Sequence, residues 1–227
     1  MTRRYLLILG PPRSGTTLLA SMVGSHPDVG MLIEDQDFAI RKLVGRAVAA
    51  NKLCIPNQIE LHQRATLLQT GLRKLGFALP RVPTSRRAIA DYLALKGVRI
   101  LGITRNGNAV ISSIMRRGGQ TFDTAAHRWC RAVAILTELK ERHAEITRCL
   151  RYEHLVAQPE RTMREVCEFI DLPFAEIMLE GYRLNPIYPD EISIDPDRAE
   201  RHLRENIDFK LETRFPEALR RHHALVR

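Results

Sequence analysis

Residues 5–17 read YLLILGPPRSGTT, an apolar run followed by a loop of glycine, proline, arginine, serine and threonine. The run Tyr5–Leu9 is bounded by turn residues and predicts a buried strand of a parallel sheet. A helix is expected from about Thr16 to Gly24, because the apolar residues of that segment fall on one face. A loop between a strand and a helix directs backbone N–H groups and the positive helix end at one place. The stretch therefore predicts an α/β fold with an anion site at its first loop.

This loop has the spacing Gly-x4-Gly, from Gly10 to Gly15, which resembles a nucleotide-binding Walker loop. The lysine that should follow the second glycine is absent, and an arginine lies inside the loop instead. A corner of the chain that binds nothing has no need of arginine, serine and two threonines together. The residues expected to contact an anion are Pro12, Arg13, Ser14, Gly15, Thr16 and Thr17.

The alternation of strands and helices continues along the chain. Two further buried strands are expected, at Val98–Thr104 and near Thr147–Tyr152. Helices are expected from near Asn108, over 123–143 and from Pro159 through Ile170. This order predicts an α/β fold in three layers, with a parallel, P-loop-like sheet flanked by helices on both faces.

Two segments stand apart from this alternation. Residues 36–96 are expected to be largely helical, with Thr84 or Ser85 as the cap of the last helix. Another helix is expected from Pro196 to Asn206. A length of 227 residues suits one domain, so we interpret residues 1–227 as a single domain with a helical insertion around 36–96.

Composition narrows the classes of partner. The net charge of +9 favours an anionic one, but nucleic acid is not expected, because only 6% of residues are aromatic and no basic run is interleaved with them. Four cysteines without a CxxC pair or a histidine cluster predict reduced thiols and no zinc site. No apolar run approaches the roughly 18 residues of a membrane span, and the N-terminus does not resemble a signal peptide. We therefore expect a cytoplasmic protein that binds a small phosphorylated ligand.

A second anion site is predicted after the strand Val98–Thr104. Arg105 follows that strand directly, at the carboxyl edge of the sheet, where open α/β folds bind ligands. Ser113 comes eight residues later on the next helix, and Arg117 shares its face one turn further on. The three residues predict a pocket for a second phosphate. The alternative, in which Arg105 and Arg117 are surface arginines, stays open at this point.

Several stretches resemble the sulfotransferases that use 3′-phosphoadenosine-5′-phosphosulfate (PAPS). These stretches are Pro12–Leu19, Arg105–Ser113, Arg151–Glu160 and Cys167–Phe174. They occur in the same order as in the family, and the resemblance covers most of residues 5–175. The first is similar to the branch that includes tyrosylprotein sulfotransferases and many bacterial enzymes. The chain departs from the family at Asn106-Gly107, where an Asp-Pro pair is usual.

The resemblance implies a donor, a reaction and roles for residues. PAPS would pass its sulfonate to an acceptor hydroxyl and leave as PAP, with no metal required. The first loop would bind the 5′-phosphosulfate, whereas Arg105, Ser113 and Arg117 would bind the 3′-phosphate. Tyr152 would pack against the nucleotide. The acceptor stays open among sugar, lipid, peptide tyrosine and small metabolite, and residues 36–96 are expected on the acceptor side.

Two residues are expected to carry the chemistry. Arg13 would stabilise charge on the leaving 5′-phosphate oxygen. Glu34 is expected to be the base, because the tyrosylprotein enzymes resemble this region without a gap and their catalytic glutamate falls at this position. A carboxylate in a closed pocket is expected to have its pKa raised toward neutrality. The alternative bases are Asp35, Asp37 and His26.

Two other functions compete with this interpretation. The first is a P-loop nucleotide-dependent phosphotransferase, which would require ATP and magnesium. The second is a non-catalytic phosphonucleotide-binding protein, which would keep both phosphate sites but lack the base.

Overall fold

Five parallel strands form the sheet at the centre of the protein. The computed structural model describes residues 4–62, 87–184 and 211–225. The strands in these ranges are β1 (Arg4–Gly10), β2 (Val29–Ile33), β3 (Val48–Cys54), β4 (Val98–Thr104) and β5 (Thr147–Arg151). Their order is β2-β3-β1-β4-β5, and every neighbouring pair is parallel.

Helices connect these strands. They are α1 (Thr16–Gly24), α2 (Ile89–Leu93), α3 (Gly107–Gly118), α4 (Phe122–Arg142), α5 (Tyr152–Ala157), α6 (Pro159–Phe169), α7 (Leu211–Arg214) and α8 (Pro216–Leu225). Short 3-10 turns occupy Ala39–Lys42, Ala144–Ile146, Glu176–Leu179 and Gly181–Leu184. None of the helices within the three described ranges is long and apolar enough to cross a membrane.

The helices cover both faces of the sheet. Alternate residues of β1 enter different cores, because side chains of a strand point to opposite faces in turn. Leu7 and Leu9 pack with residues of α3, α4 and α8, whereas Leu6 and Ile8 pack with residues of α1, α5 and α6. Each such buried side chain contributes roughly 1.5–3 kcal/mol to folding. The three-layer α/β arrangement expected from the sequence is confirmed.

The helical prediction for residues 36–96 is wrong over Val48–Cys54. This segment is β3, and all seven of its residues are buried between β2 and β1. Its alanines and lysine favour a helix, but pairing with a strand on each side overrides that preference. The five-residue strand β2 was not predicted either, because it is too short to show a period.

Other predicted elements are confirmed to within a few residues. The expected helices over 123–143 and from Pro159 correspond to α4 and α6, and the expected strand near Thr147 corresponds to β5. The helix predicted at Pro196–Asn206 and the caps at Thr84 or Ser85 lie outside the described residues.

The order of the strands creates a crevice between β1 and β4. From β1 the chain continues to β2 at one edge of the sheet, whereas from β4 it continues to β5 at the opposite edge. Ligands of open α/β sheets bind at such a switch point, outside the carboxyl ends of the strands. The loop after β1 and the turn after β4, which carry the two predicted anion sites, both open into this crevice.

The C-terminal helix α8 packs against α4. Lys140 of α4 donates hydrogen bonds to the carbonyl oxygens of Ala224 and Leu225 at 3.1 and 2.9 Å, which closes the C-terminal end of α8. His222 of α8 is 2% exposed, and its ring centre lies 5.4 Å from that of Trp129 in α4. The pair joins the last helix of the chain to the core.

All four cysteines are free thiols, as the sequence predicts. Cys54 and Cys167 are buried, whereas Cys130 and Cys149 are half-buried. Burial raises the pKa of Cys130 to about 11, so this thiol stays protonated at neutral pH.

Candidate active site

The loop after β1 presents backbone N–H groups at the start of α1. The first α-helical hydrogen bond runs from the N–H of Leu19 to the carbonyl oxygen of Gly15, at 3.0 Å. The N–H groups of Thr16, Thr17 and Leu18 therefore precede the helical ladder, and no side chain of the described residues caps the helix. Uncapped N–H groups and the positive helix end together can bind an anion.

Two polar side chains of this loop are turned inward. The hydroxyl of Ser14, which is fully buried, donates to the carbonyl oxygen of Pro11 at 2.7 Å, and the N–H of Ser14 donates to the same oxygen at 3.2 Å. Thr16 is 3% exposed, and its hydroxyl lies 3.8 Å from the Cys54 sulfur. In this structure Ser14 and Thr16 shape the loop through their side chains, although both were expected to contact the anion.

Arg13 links the loop to the predicted second site. It is exposed, and its Nε donates to the hydroxyl of Ser113 on α3 at 3.1 Å. Arg105, at the end of β4, donates to the carbonyl oxygen of Arg13 at 3.4 Å. The structure thus brings Arg13, Arg105 and Ser113 together across the crevice. Arg117 is exposed one turn further along α3.

Tyr152, the first residue of α5, lies between the two sites. The guanidinium carbon of Arg105 is 4.2 Å from the centre of the tyrosine ring, which is a cation–π contact. On the other side a Cβ added to Gly15 would lie 2.4 Å from Tyr152 Cδ2. Gly15 also has a φ of +89°, so this position needs glycine both for its backbone and for the close approach of the ring. Tyr152 is 7% exposed and packs against the loop and Arg105.

The departure at Asn106-Gly107 leaves a well-formed turn. The Asn106 side chain accepts a hydrogen bond from the N–H of Ala109 at 3.2 Å and caps α3. Gly107 is buried, and a Cβ there would lie 2.9 Å from Trp129 and 3.0 Å from Leu211. The Asn-Gly pair therefore combines a helix cap with close packing against α4 and α7.

Glu34 follows β2 and forms an ion pair with a buried lysine. Its Oε1 accepts from Lys52 Nζ at 2.5 Å, and its N–H donates to the Lys52 carbonyl oxygen at 2.8 Å. The Lys52 side chain is 1% exposed and that of Glu34 is 34% exposed. Both Glu34 and Arg13 have a left-handed backbone, with φ of +63° and +69°, a conformation often found where function constrains the chain.

The expected rise in the pKa of Glu34 is wrong. Burial alone would raise the pKa, but the Lys52 ammonium, assisted by a hydrogen bond from Gln58, outweighs burial and holds the pKa below its ordinary value. Glu34 is therefore ionised at neutral pH. Its carboxylate is in the form that accepts a proton, held by a fixed cation.

Of the three alternative bases, two form hydrogen bonds with the backbone and the third is exposed. Both ring nitrogens of His26 are occupied, because Nδ1 accepts from the Asp28 N–H at 3.0 Å and Nε2 meets the Pro173 carbonyl oxygen at 2.9 Å. Asp35 accepts a hydrogen bond at 2.7 Å from the N–H of Ala39, the first residue of a 3-10 turn. Asp37 is exposed.

Lys52 is the site residue that sequence reasoning missed. It lies in β3, opposite Ile8 of β1 and Ile33 of β2 in the strand register. A signal was present in the sequence, since Lys52 is the one charged residue in the run Val48–Ile55. It was lost because this segment was interpreted as helical.

Comparison with known proteins agrees with this geometry. The model of the sulfotransferase family matches residues 6–176. The chain is 27% identical over 205 residues to a protein-tyrosine sulfotransferase of Drosophila melanogaster, a match that covers 77% of this chain and 39% of the relative. It is 26% identical over 205 residues to protein-tyrosine sulfotransferase A of Caenorhabditis elegans, covering 81% of this chain and 54% of the relative. The chain therefore spans only about two fifths to a half of these curated relatives.

Solved structures share the fold. A sulfotransferase domain from the curacin biosynthetic pathway superposes with a TM-score of 0.66 at 15% identity, over 99% of this chain and 98% of that one. The sulfotransferase domain of the Synechococcus PCC 7002 olefin synthase superposes with a TM-score of 0.56 at 18% identity, over 89% of both chains. With the family model matching three quarters of its length and a site at the expected edge of the expected sheet, the chain belongs to the sulfotransferase family.

Proposed function

We propose that this chain is a sulfotransferase that takes sulfonate from PAPS and passes it to an acceptor hydroxyl. The observation that carries the proposal is the meeting of two cationic sites across the β1–β4 crevice. Arg13 bonds Ser113 at 3.1 Å, and Arg105 bonds the Arg13 carbonyl oxygen at 3.4 Å. A nucleotide with phosphate groups at both its 5′ and 3′ positions suits two adjacent anion sites.

The donor fits these sites in one direction. The loop and the start of α1 would hold the 5′-phosphosulfate on N–H groups and Arg13, and Arg105 with Ser113 would hold the 3′-phosphate. Arg117 would add charge at the outer end of α3. Each hydrogen bond to a charged phosphate contributes roughly 1.5–3 kcal/mol, so the 3′-phosphate should dominate the choice among nucleotides.

The chemistry follows from the charges around the transferred group. The acceptor oxygen attacks sulfur, the bond from sulfur to the 5′-phosphate oxygen breaks, and its electron pair leaves with PAP. Arg13 stabilises the charge on that oxygen, and Glu34 takes the acceptor proton. Lys52 keeps Glu34 ionised and in place. Fixed positive charge can supply such stabilisation without a metal, so none is required in this proposal.

The names of the curated relatives suggest which class of acceptor to test first. Both relatives described above carry the name protein-tyrosine sulfotransferase, which makes a phenolic hydroxyl the first acceptor to test. Sugars, lipids and small hydroxylated metabolites form the rest of the panel.

Two rival functions make different demands. A phosphotransferase would use ATP with magnesium, but Thr16 stands where its loop would need lysine. A non-catalytic binding protein would bind PAP at the same sites but would transfer no sulfonate from PAPS to a phenol.

Nucleotide binding tests the proposal. The melting temperature should rise with PAP far more than with 5′-AMP or with ATP and magnesium, because a ligand that binds only the folded state stabilises it. Chelation of divalent metal should leave the effect of PAP unchanged. An equal rise with 5′-AMP and PAP, or a larger rise with ATP and magnesium, would contradict the two-phosphate site.

A further inference from the structure

Glu153 connects the two strand ends on which the second phosphate site stands. It is the second residue of α5, directly after Tyr152, and its side chain is 18% exposed. Its Oε1 accepts a hydrogen bond from the N–H of Asn106 at 2.9 Å. Asn106 follows Arg105, so a carboxylate at the end of β5 holds the backbone next to the arginine at the end of β4.

This bond completes a helix cap with a residue from another element. Asn106 is the N-cap of α3, and the N–H of an N-cap residue is often bound by a glutamate three positions later. That position is Ala109, which has no side-chain acceptor. Glu153, which lies on α5, accepts this hydrogen bond instead.

The bond also limits the conformations open to Arg105. The peptide between Arg105 and Asn106 is planar, so fixing the Asn106 N–H fixes that plane. The other side of Asn106 is fixed by α3, because its side chain accepts from the Ala109 N–H at 3.2 Å and its carbonyl oxygen accepts from the Val110 N–H at 3.1 Å. Arg105 therefore leaves a backbone whose orientation Glu153 helps to set.

A carboxylate here cannot be a phosphate ligand, because like charges repel. Glu153 instead has Arg151 as a counter-ion, with Oε2 at 3.8 Å from Arg151 Nε. Any effect of Glu153 on a phosphate must therefore act through Asn106 and Arg105.

We infer that Glu153 is a positioning residue for the 3′-phosphate of the donor, an inference that rests on the proposed function. It orients Arg105 through the Asn106 N–H. Its role is to make the protein discriminate between nucleotides with and without a 3′-phosphate.

Titration calorimetry with PAP and with 5′-AMP tests this inference. Glu153→Ala should weaken PAP binding by roughly tenfold and 5′-AMP binding by less than about twofold, the size expected for one lost hydrogen bond. Glu153→Gln keeps an oxygen that can accept from the N–H, and should retain most of the discrimination. Glu160→Ala is the matched control, because Glu160 is an exposed residue of α6 that pairs with Arg164.

A double-variant cycle separates positioning from general stability. In an Arg105→Ala background, Glu153→Ala should have no further effect on PAP binding, since its route to the phosphate is gone. Should Glu153→Ala fail to fold, Glu153→Asp replaces it, because its carboxylate is one methylene too short to keep the bond. Equal weakening of both ligands, no weakening of either, or additive effects with Arg105→Ala would overturn the inference. If the unmodified protein itself binds PAP no better than 5′-AMP, the proposed function has failed and the inference with it.

Discussion

At the scale of single residues, the pair of Glu34 and Lys52 has the largest consequences. A buried ammonium holds the carboxylate in its ionised form, so the proposed base is oriented and able to accept a proton. The same contact makes each partner important for folding, because removing one leaves the other without its counter-charge. A test of catalysis at Glu34 must therefore separate loss of the base from loss of stability.

Glu34→Gln should lower turnover with a true acceptor by roughly 10²–10⁴, the usual contribution of a general base. It should also lower the free energy of unfolding by about 1–3 kcal/mol, less than for a fully enclosed pair because Glu34 is partly exposed. Turnover is measured with saturating PAPS, and stability by urea unfolding.

The double variant Glu34→Gln, Lys52→Met separates the two effects. It removes the unpaired cation and should recover stability without recovering turnover. Asp28→Asn is the control, since Asp28 is an exposed carboxylate in the same part of the chain and is not a candidate base. Near-normal turnover in Glu34→Gln would remove Glu34 from the role of base and direct the search to Asp35 and Asp37.

Substitution of two glycines that both have a left-handed backbone separates the cost of a steric clash from the cost of backbone strain. Gly15 has a φ of +89° and faces the Tyr152 ring, whereas Gly45 has a φ of +80° and nothing within 4 Å of an added Cβ. Gly45→Ala should cost only the strain of the left-handed conformation, roughly 1–2 kcal/mol.

Gly15→Ala should cost clearly more than Gly45→Ala in the free energy of unfolding and should abolish PAP binding. Both are measured by urea unfolding and calorimetry. The costs of Gly15→Ala and Tyr152→Ala should be less than additive in the double variant, because the added methyl group no longer meets the ring. If the two alanine variants are equally stable, Tyr152 does not lie against the loop as described.

At the scale of elements, the C-terminal helix α8 is held by a buried histidine. Burial, with help from the positive charges of Arg151 and His223, lowers the pKa of His222 to about 4. Its ring lies beside Trp129, the one tryptophan of the chain. Protonation of His222 would place charge in the core between α8 and α4.

Stability should therefore fall with pH in a defined window. Below about pH 6.5 the unfolded chain binds a proton at His222 that the folded chain refuses until about pH 4, so stability is full above this window and is lost on acidification. Between pH 7 and pH 5 the loss attributable to His222 should be about 2 kcal/mol. It is measured by urea unfolding followed by Trp129 fluorescence.

The control for this window is His222→Phe, which fills the site without a titrating group. This variant should lose the contribution of His222 to the pH dependence. His223→Gln, a change of the exposed neighbour, should keep most of that contribution, because burial is the largest cause of the lowered pKa of His222. A pH dependence that is the same in His222→Phe and in the unmodified protein would show that His222 does not titrate as expected.

At the scale of the whole molecule, the sequence predicted the features that depend on residues adjacent along the chain. The loop after β1 and Arg105 after β4 were identified because each directly follows a strand with a clear apolar run. Long elements such as α4 were predicted for the same reason, since their period repeats over several turns. Tyr152 was identified instead from the resemblance of Arg151–Glu160 to the family, because β5 has no such run.

Contacts between distant parts of the chain were not predictable in this way. The bond from Arg13 to Ser113 joins residues 100 apart in sequence. The lowered pKa of Glu34 was missed because its cause, Lys52, lies on a strand whose alanine and lysine content resembled a helix. Pairing between strands decides such positions, and a single sequence does not show it.

We propose that this member of the sulfotransferase family moves sulfonate from PAPS to a hydroxyl. The most direct measurement is transfer of label from sulfur-labelled PAPS to a panel of phenols, with divalent metal chelated. The unmodified protein should give labelled product and stoichiometric PAP. Arg13→Ala should lower turnover by roughly 10²–10³, the range seen when a residue that stabilises developing charge is removed. Absence of labelled product across phenols, sugars, lipids and small metabolites in a protein that binds PAP, or transfer that Arg13→Ala leaves unchanged, would contradict it.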